Sequence, residues 1–190
     1  MNVLYISHER NLGGASRSLL GIIDELKENI NAFVLTNAKS GDFLDELKKR
    51  KVNIIYSKYY WWMSYKANNI IKIFIKYRIH YFINYISALR LSFIVKKLNI
   101  DIIHSNTSVI DIGALVSKFS GIPHIWHIRE FGKEDHNIYF NFNSNKCFNF
   151  MNKQSSKVIA ISKAIYNKYE NYIDRDKLCI VYNGIPKSCL

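Results

Sequence analysis

The chain is poor in cysteine: Cys147, Cys179 and Cys189 are the three in 190 residues, and no two form a C-x-x-C pair. That pattern excludes a cysteine-built zinc site and fits a reducing compartment. Long uncharged runs are also missing. The longest stretch free of Lys, Arg, Asp and Glu is Ile79 to Leu89, well short of the about 20 residues that cross a bilayer. The amino terminus enters a strand without the basic and apolar segments of a secretory signal, so none is expected. No G-x-G-x-x-G or P-loop spacing occurs, and no acidic residue ends the second strand at Thr36-Asn37. Both absences argue against a dinucleotide site. A G-x-S-x-G nucleophile elbow is lacking as well, and His124 and His127 have no partners at metal-ligand spacing. Internal repeats, low-complexity tracts and linkers are absent, which leaves one domain over residues 1–190.

Acidic residues are scarce too. Asp and Glu number 15 against 27 Lys and Arg, a formal charge of +12, and none lies between Lys66 and Asn99. Such a balance implies an anionic partner: nucleic acid, acidic lipid or a phosphorylated substrate. The basic residues sit on a hydrophobic helix and in no recognition motif, so nucleic acid is not expected. With 48% hydrophobic and 22% charged residues, the chain is a globular one with ample core.

What is present centres on Asn11-Leu12-Gly13-Gly14-Ala15-Ser16-Arg17. The β-branched run Val3-Leu4-Tyr5-Ile6 before it reads as a buried strand. After it, Ala15, Leu19, Ile22, Ile23 and Leu26 share a helical face. Two glycines at a strand-to-helix turn permit positive φ and the close approach of a ligand. A helix start suits an anion; a tight turn without a ligand is the plainer alternative.

Further strands are read at Ala32–Thr36, Val52–Tyr56, Asp101–Thr107, His124–Glu130, Lys157–Ile161 and Leu178–Tyr182. The last is followed by an Asn183-Gly184-Ile185-Pro186 turn. Helices alternate with them: one to about Arg50, a long one from Asn69 to Leu98, a buried one near Val109–Phe119 closed by Gly121-Ile122-Pro123, and one capped by Ser162. Gly132 to Asn152 reads as loop and short helix. Strands separated by helices predict an α/β fold, a doubly wound parallel sheet of about seven strands.

Two stretches stay open. Tyr59-Tyr60-Trp61-Trp62-Met63 is either a core plug or an exposed loop for a membrane interface or acyl chain. The long helix carries Lys72, Lys76, Arg78, His80, Arg90, Lys96 and Lys97 among Phe74, Tyr77, Tyr81, Phe82 and Tyr85. It either lies on an anionic membrane or covers the sheet with its lysines snorkelling outward.

In an open parallel sheet, ligands bind beyond the carboxyl ends of the strands. Those ends carry Ser7-His8, Thr36-Asn37, Ser105-Asn106-Thr107, His127-Arg129-Glu130, Ser162 and Asn183-Gly184. Alternation places His127 and Arg129 on one strand face and Ile128 on the other. An Arg129–Glu130 ion pair is the structural alternative to a site.

Five features in order carry a resemblance. They are the Gly-Gly loop opening a helix after a strand, Ile102-Ile103-His104-Ser105-Asn106, and Gly121-Ile122-Pro123 before Trp126-His127-Ile128-Arg129-Glu130. Val158-Ile159-Ala160-Ile161-Ser162 and Ile180-Val181-Tyr182-Asn183-Gly184-Ile185 complete the set. Together they resemble the N-terminal half of a retaining, GT-B-fold glycosyltransferase of the family-four type. The resemblance implies a Rossmann-like acceptor domain, with a nucleotide-sugar as co-substrate, no other cofactor and no metal held by this half. The acceptor would be a cell-envelope polysaccharide or lipid-linked precursor. It implies that Gly13 and Gly14 line the donor phosphates, with Arg17 beside them. His127 would position the acceptor or donor sugar, flanked by Arg129 and Glu130. Ser105, Asn106 and Ser162 would add polar contacts. In that family the Asn-Gly-Ile turn marks the crossing into a donor-binding C-terminal domain. Here the sequence ends six residues after Gly184, so the domain is expected not to transfer sugar alone and to need that half, from a separate chain if one exists. The expected place is the cytoplasm, peripheral on the inner face of the plasma membrane. A non-catalytic membrane- or partner-docking module derived from that domain is the alternative.

Overall fold

Strands form where β-branched and aromatic residues run together, and most give way to a helix across a short loop. The structure is a computed structural model that describes residues 1–65 and 70–184. The helix start expected at Asn69, the Ile185-Pro186 end of the last turn, Cys189, and the side chains of Lys72 and Phe74 lie outside what is described.

In chain order the elements are β1 (Asn2–Ile6), α1 (Gly14–Leu26), β2 (Asn31–Thr36), α2 (Asp42–Lys49) and β3 (Asn53–Tyr56). Then come β4 (Met63–Tyr65), α3 (Ile70–Lys97), β5 (Ile102–Ser105), α4 (Ile112–Ser120) and β6 (His124–Ile128). The rest are α5 (Lys133–His136), β7 (Ile138–Phe140), α6 (Ser144–Gln154), β8 (Lys157–Ala160), α7 (Lys163–Tyr169) and β9 (Leu178–Ile180). Seven strands pair in parallel in the order β3-β2-β1-β5-β6-β8-β9. This is the doubly wound sheet expected from the alternation of strands and helices.

Both faces of the sheet are covered, which parallel strands require. On one face Val3, Tyr5 and Val34 pack with Leu19, Leu20 and Ile23 of α1 and Phe43, Leu44 and Leu47 of α2. On the other, Leu4, Ile6, Ile103, Trp126 and Ile128 pack with Ala88, Leu91 and Val95 of α3, with α4, and with Met151 of α6. Gly121 ends α4 in the left-handed conformation, φ 79°, as its place before Ile122-Pro123 suggests. Ser162 caps α7, its hydroxyl accepting from the Ile165 N–H at 3.2 Å.

The aromatic segment forms a buried core plug at Tyr59, Trp62 and Met63, while Tyr60 and Trp61 stay half-buried. Tyr59 OH donates to the Ser7 carbonyl at 2.7 Å and Trp62 Nε1 to the Ser108 carbonyl at 2.7 Å. Trp62 also stacks on Trp126. The plug continues into an antiparallel ribbon, β4 with β7, in the register Met63↔Phe140 and Tyr65↔Ile138. Between Gly132 and Asn152 the chain is therefore more ordered than its weak periodicity suggests, since tertiary pairing and packing supply what local pattern does not.

Candidate active site

The strand order reverses direction after β1, because β2 and β3 lie to one side and β5 to β9 to the other. At that switch point the loops after β1 and β5 must part, and a crevice opens at the carboxyl ends of the strands. A cleft of about 500 Å³ occupies it. Its walls come from the β1–α1 loop (His8, Glu9, Gly14), the strand-end loops (Thr107, Arg129, Glu130) and the aromatic segment and ribbon (Trp61, Tyr65, Ile138).

Gly13 and Gly14 do not owe their identity to backbone strain. Gly13 is extended at φ −92°, and neither glycine is among those with positive φ. The positive-φ role expected for them is thus corrected; what they provide is room. Nothing lies within 4 Å of the position a Cβ would take on Gly14. Ser16 steadies the loop, its hydroxyl accepting from the Gly13 N–H at 2.8 Å. Arg17 is exposed on the next turn.

Arg129 is held on four sides. Its Nε donates to Asn106 Oδ1 at 2.9 Å, Nη1 to Ser18 Oγ at 2.9 Å and to Asn183 Oδ1 at 2.8 Å. Its Nη2 lies 3.4 Å from His127 Nδ1. Asn106 in turn donates to the Ala15 carbonyl at 3.0 Å, so one amide ties the start of α1 to the guanidinium. Burial lowers the Arg129 pKa to about 10, with Glu130 and Glu9 opposing the fall, and the side chain keeps its charge at neutral pH.

Glu130 does not pair with the Arg129 guanidinium. Its half-buried carboxylate accepts from Thr107 Oγ1, the Ser108 N–H and Ser108 Oγ, and from the Arg129 N–H. Burial raises its pKa against those bonds. The carboxylate pins the β5–α4 loop to the end of β6, and the ion-pair alternative gives way to this hydrogen-bonded tie.

The structure brings Gly14, Arg129 and Glu130 together at the cleft, with Asn106 buried behind Arg129, and sets the other expected residues apart. His127 is buried and does not line the cleft. It sits behind Arg129, with Nδ1 3.2 Å from His104 Nε2. Burial is the main cause that lowers both imidazoles' pKa, His104 to about 3, with the Arg129 charge adding to it. Ser105 alternates to the α4 face, where its hydroxyl meets His124 Nε2 at 2.9 Å. Ser162 caps α7 while its neighbour Ile161 reaches the cleft. Ser18, Glu9 and Trp61 were not anticipated at the site. Ser18 stands one turn after Gly14 on α1, a spacing that could have found it; the ribbon had no local signal.

Among the described residues, no group of three or more His, Cys, Asp or Glu is arranged to hold a metal ion, and no helix is long and apolar enough to cross a membrane.

The chain is similar in fold to HepE of Anabaena, solved with UDP-glucose, at 19% identity and TM-score 0.66, covering 97% of this chain and 44% of that one. A glycosyltransferase of Rickettsia africae ESF-5 shows 22% identity and TM-score 0.66 over 97% of this chain and 43% of its own. MurG of Acinetobacter baumannii shows 15% and 0.59 over 98% and 46%. The chain therefore spans less than half the length of each of these structures. No curated protein sequence matches it. The model of Glycosyltransferase Family 4 matches residues 12–188, from the glycine loop to beyond the last described turn. With that match over nearly its whole length, the chain belongs to Glycosyltransferase Family 4, and its sheet is one Rossmann-like half of a GT-B fold.

Proposed function

We propose that this domain is the acceptor wall of a glycosyl-transfer site. It serves the movement of a sugar from a UDP-sugar to a cell-envelope polysaccharide or lipid-linked precursor. The observation that carries the reading is the meeting of Gly14, open at the start of α1, with the braced Arg129 guanidinium in one switch-point cleft. As the glycosidic bond to the nucleoside diphosphate breaks, negative charge builds on the phosphate oxygens. Free N–H groups at a helix start and a fixed cation favour that charge. UDP-glucose in HepE supports a uridine donor. His127 acts through Arg129, whose Nη2 its Nδ1 faces, and is a positioning residue in this reading. The donor-holding half is a second domain, continuous with this one or a separate chain. The test is transfer of radiolabelled sugar by this domain combined with a donor-binding domain. Arg129→Ala is expected to lower turnover by about a hundredfold; undiminished turnover would reject the reading.

A second face favours a membrane setting. Helix α3 is apolar on two opposite sides. Ala88, Leu91 and Val95 are buried against the sheet, whereas Ile79, Phe82 and Phe93 are 54%, 63% and 74% exposed. Ile75 and Leu89 extend the outer stripe, and the exposed Lys76, Arg90, Lys96 and Lys97 flank it. An apolar stripe edged by cations fits an anionic lipid surface. Each Lys or Arg near such a surface adds about 1 kcal/mol. In this reading the domain works at the inner face of the plasma membrane, where a lipid-linked acceptor would reside; a docking module without catalysis would use the same face. Sedimentation with acidic vesicles is expected to show binding that high salt releases, and no binding at low salt would reject it.

A further inference from the structure

The side of the cleft bearing Trp61 differs in chemistry from the side bearing Gly14 and Arg129. Trp61 is half-buried and lines the cleft, while its neighbours Tyr59 and Trp62 serve the core. The Trp61 indole meets the His8 ring edge to face, with centroids 4.8 Å apart. In the β1–α1 loop that carries His8, two buried polar atoms have no hydrogen-bond partner: His8 Nδ1 and Glu9 Oε2. Both belong to side chains that line this cleft. Buried polar atoms are nearly always paired, so two unpaired ones on consecutive residues of a cleft wall call for an explanation. Burial lowers the His8 pKa to about 4, and its ring is neutral at physiological pH.

We propose that Trp61, His8 and Glu9 form the acceptor-sugar subsite, one that takes a pyranose with two free hydroxyls on adjacent carbons and an exposed apolar ring face. The proposal rests on the reading of this domain as the acceptor wall of a glycosyltransferase. The C–H bonds on a sugar's apolar face are polarised to meet the negative face of an indole. The carboxylate oxygen accepts from one hydroxyl, and the imidazole nitrogen pairs with its neighbour.

The indole N–H resonances of the 190-residue chain report on this directly. Those of Trp62 and Trp126 are bound to the Ser108 and Thr107 carbonyls, and that of Trp61 is assigned by its loss in Trp61→Phe. Methyl glycosides of gluco, galacto and manno configuration are titrated, with uridine monophosphate and tetrahydropyran for comparison. At least one glycoside is expected to shift the Trp61 signal saturably, tetrahydropyran is not, and Glu9→Gln is expected to weaken binding about tenfold. A saturable response to uridine monophosphate with none to any glycoside would overturn the proposal, as would unchanged glycoside binding by Glu9→Gln. In the two-domain enzyme, Trp61→Leu and Glu9→Gln should raise the acceptor KM and leave the nucleotide-sugar KM unchanged. An enzyme that transfers normally with an unaltered acceptor KM in both variants rejects the subsite alone. An assembled enzyme that transfers nothing rejects the glycosyltransferase reading, and the titration still decides the subsite.

Discussion

Gly13 and Gly14 are adjacent and alike in sequence, yet the fold asks different things of them. A Cβ on Gly13 would come 2.5 Å from Glu9 Oε1, the tip of a flexible side chain, so Gly13→Ala is expected to fold with Glu9 displaced. A Cβ on Gly14 meets nothing in the protein itself. Gly14→Val is therefore expected to keep the melting temperature within a few degrees and to abolish transfer in the assembled enzyme; full activity would reduce the loop to a turn. Titration is a second residue-scale property. His8, His104, His124 and His127 are all pushed below their ordinary pKa, first by burial. Each unfolds to a pKa near 6.5 and gains a proton, so its stabilisation is complete above that pH and is lost as pH falls toward 4 and below. Asp111, raised to about 7, and Glu130, also raised, act in the opposite direction. Four groups outweigh two, and the melting temperature is expected to fall between pH 6.5 and pH 4. His124→Gln should flatten that fall even as it lowers stability at pH 7; an unchanged slope would refute the assignment. His104, His124 and His127 were legible as residues on strands, and His8 as one at a strand end. Which would face a cleft and which another imidazole was not, since strand alternation fixes a face and not a neighbour.

At the scale of elements, legibility followed length. Each sheet strand was readable from its apolar run, with ends differing by a residue or two, as at β6, which stops at Ile128. The ribbon was not: β4 and β7 have three residues each and exist through pairing between distant parts of the chain. Helix α3 was legible as a helix but ambiguous in purpose, because an inner and an outer apolar stripe leave no clear polar face. Asn84 fixes the inner side, donating to Asp111 Oδ1 at 2.7 Å and accepting from the Tyr60 N–H at 2.8 Å. This joins α3 to the plug that carries Trp61. The two stripes should separate experimentally. Leu91→Ala, inside, is expected to cost about 2–5 kcal/mol in denaturant unfolding. Phe82→Ser with Phe93→Ser, outside, should leave stability within about 0.5 kcal/mol and reduce binding to acidic vesicles. Loss of stability equal to that of Leu91→Ala would mean that the outer stripe is packed, and not free for lipid.

At the scale of the whole molecule, alternating strands and helices were enough to expect the doubly wound sheet, since right-handed crossovers leave few other arrangements. The switch point and its cleft then follow from strand order. What the sheet alone does not provide is charge. Arg129 is the single Lys or Arg side chain among the described residues that line the cleft, and Glu9 and Glu130 line it too. A departing nucleoside diphosphate carries more negative charge than one guanidinium beside two carboxylates can balance, and positioned cations supply much of the rate in such transfers. On the function proposed above, further positive groups would come from a donor-holding half, which would also place the two reactants against each other. The 190-residue domain alone is thus expected to fold, to bind a UDP-sugar weakly if at all, and to transfer nothing. The measurement is radiolabelled sugar transfer by the purified domain with candidate acceptors, set against Arg129→Ala, and repeated with a donor-binding domain added in trans. Turnover well above the Arg129→Ala control with no second domain present would show that this cleft suffices by itself, and the charge argument would then be wrong.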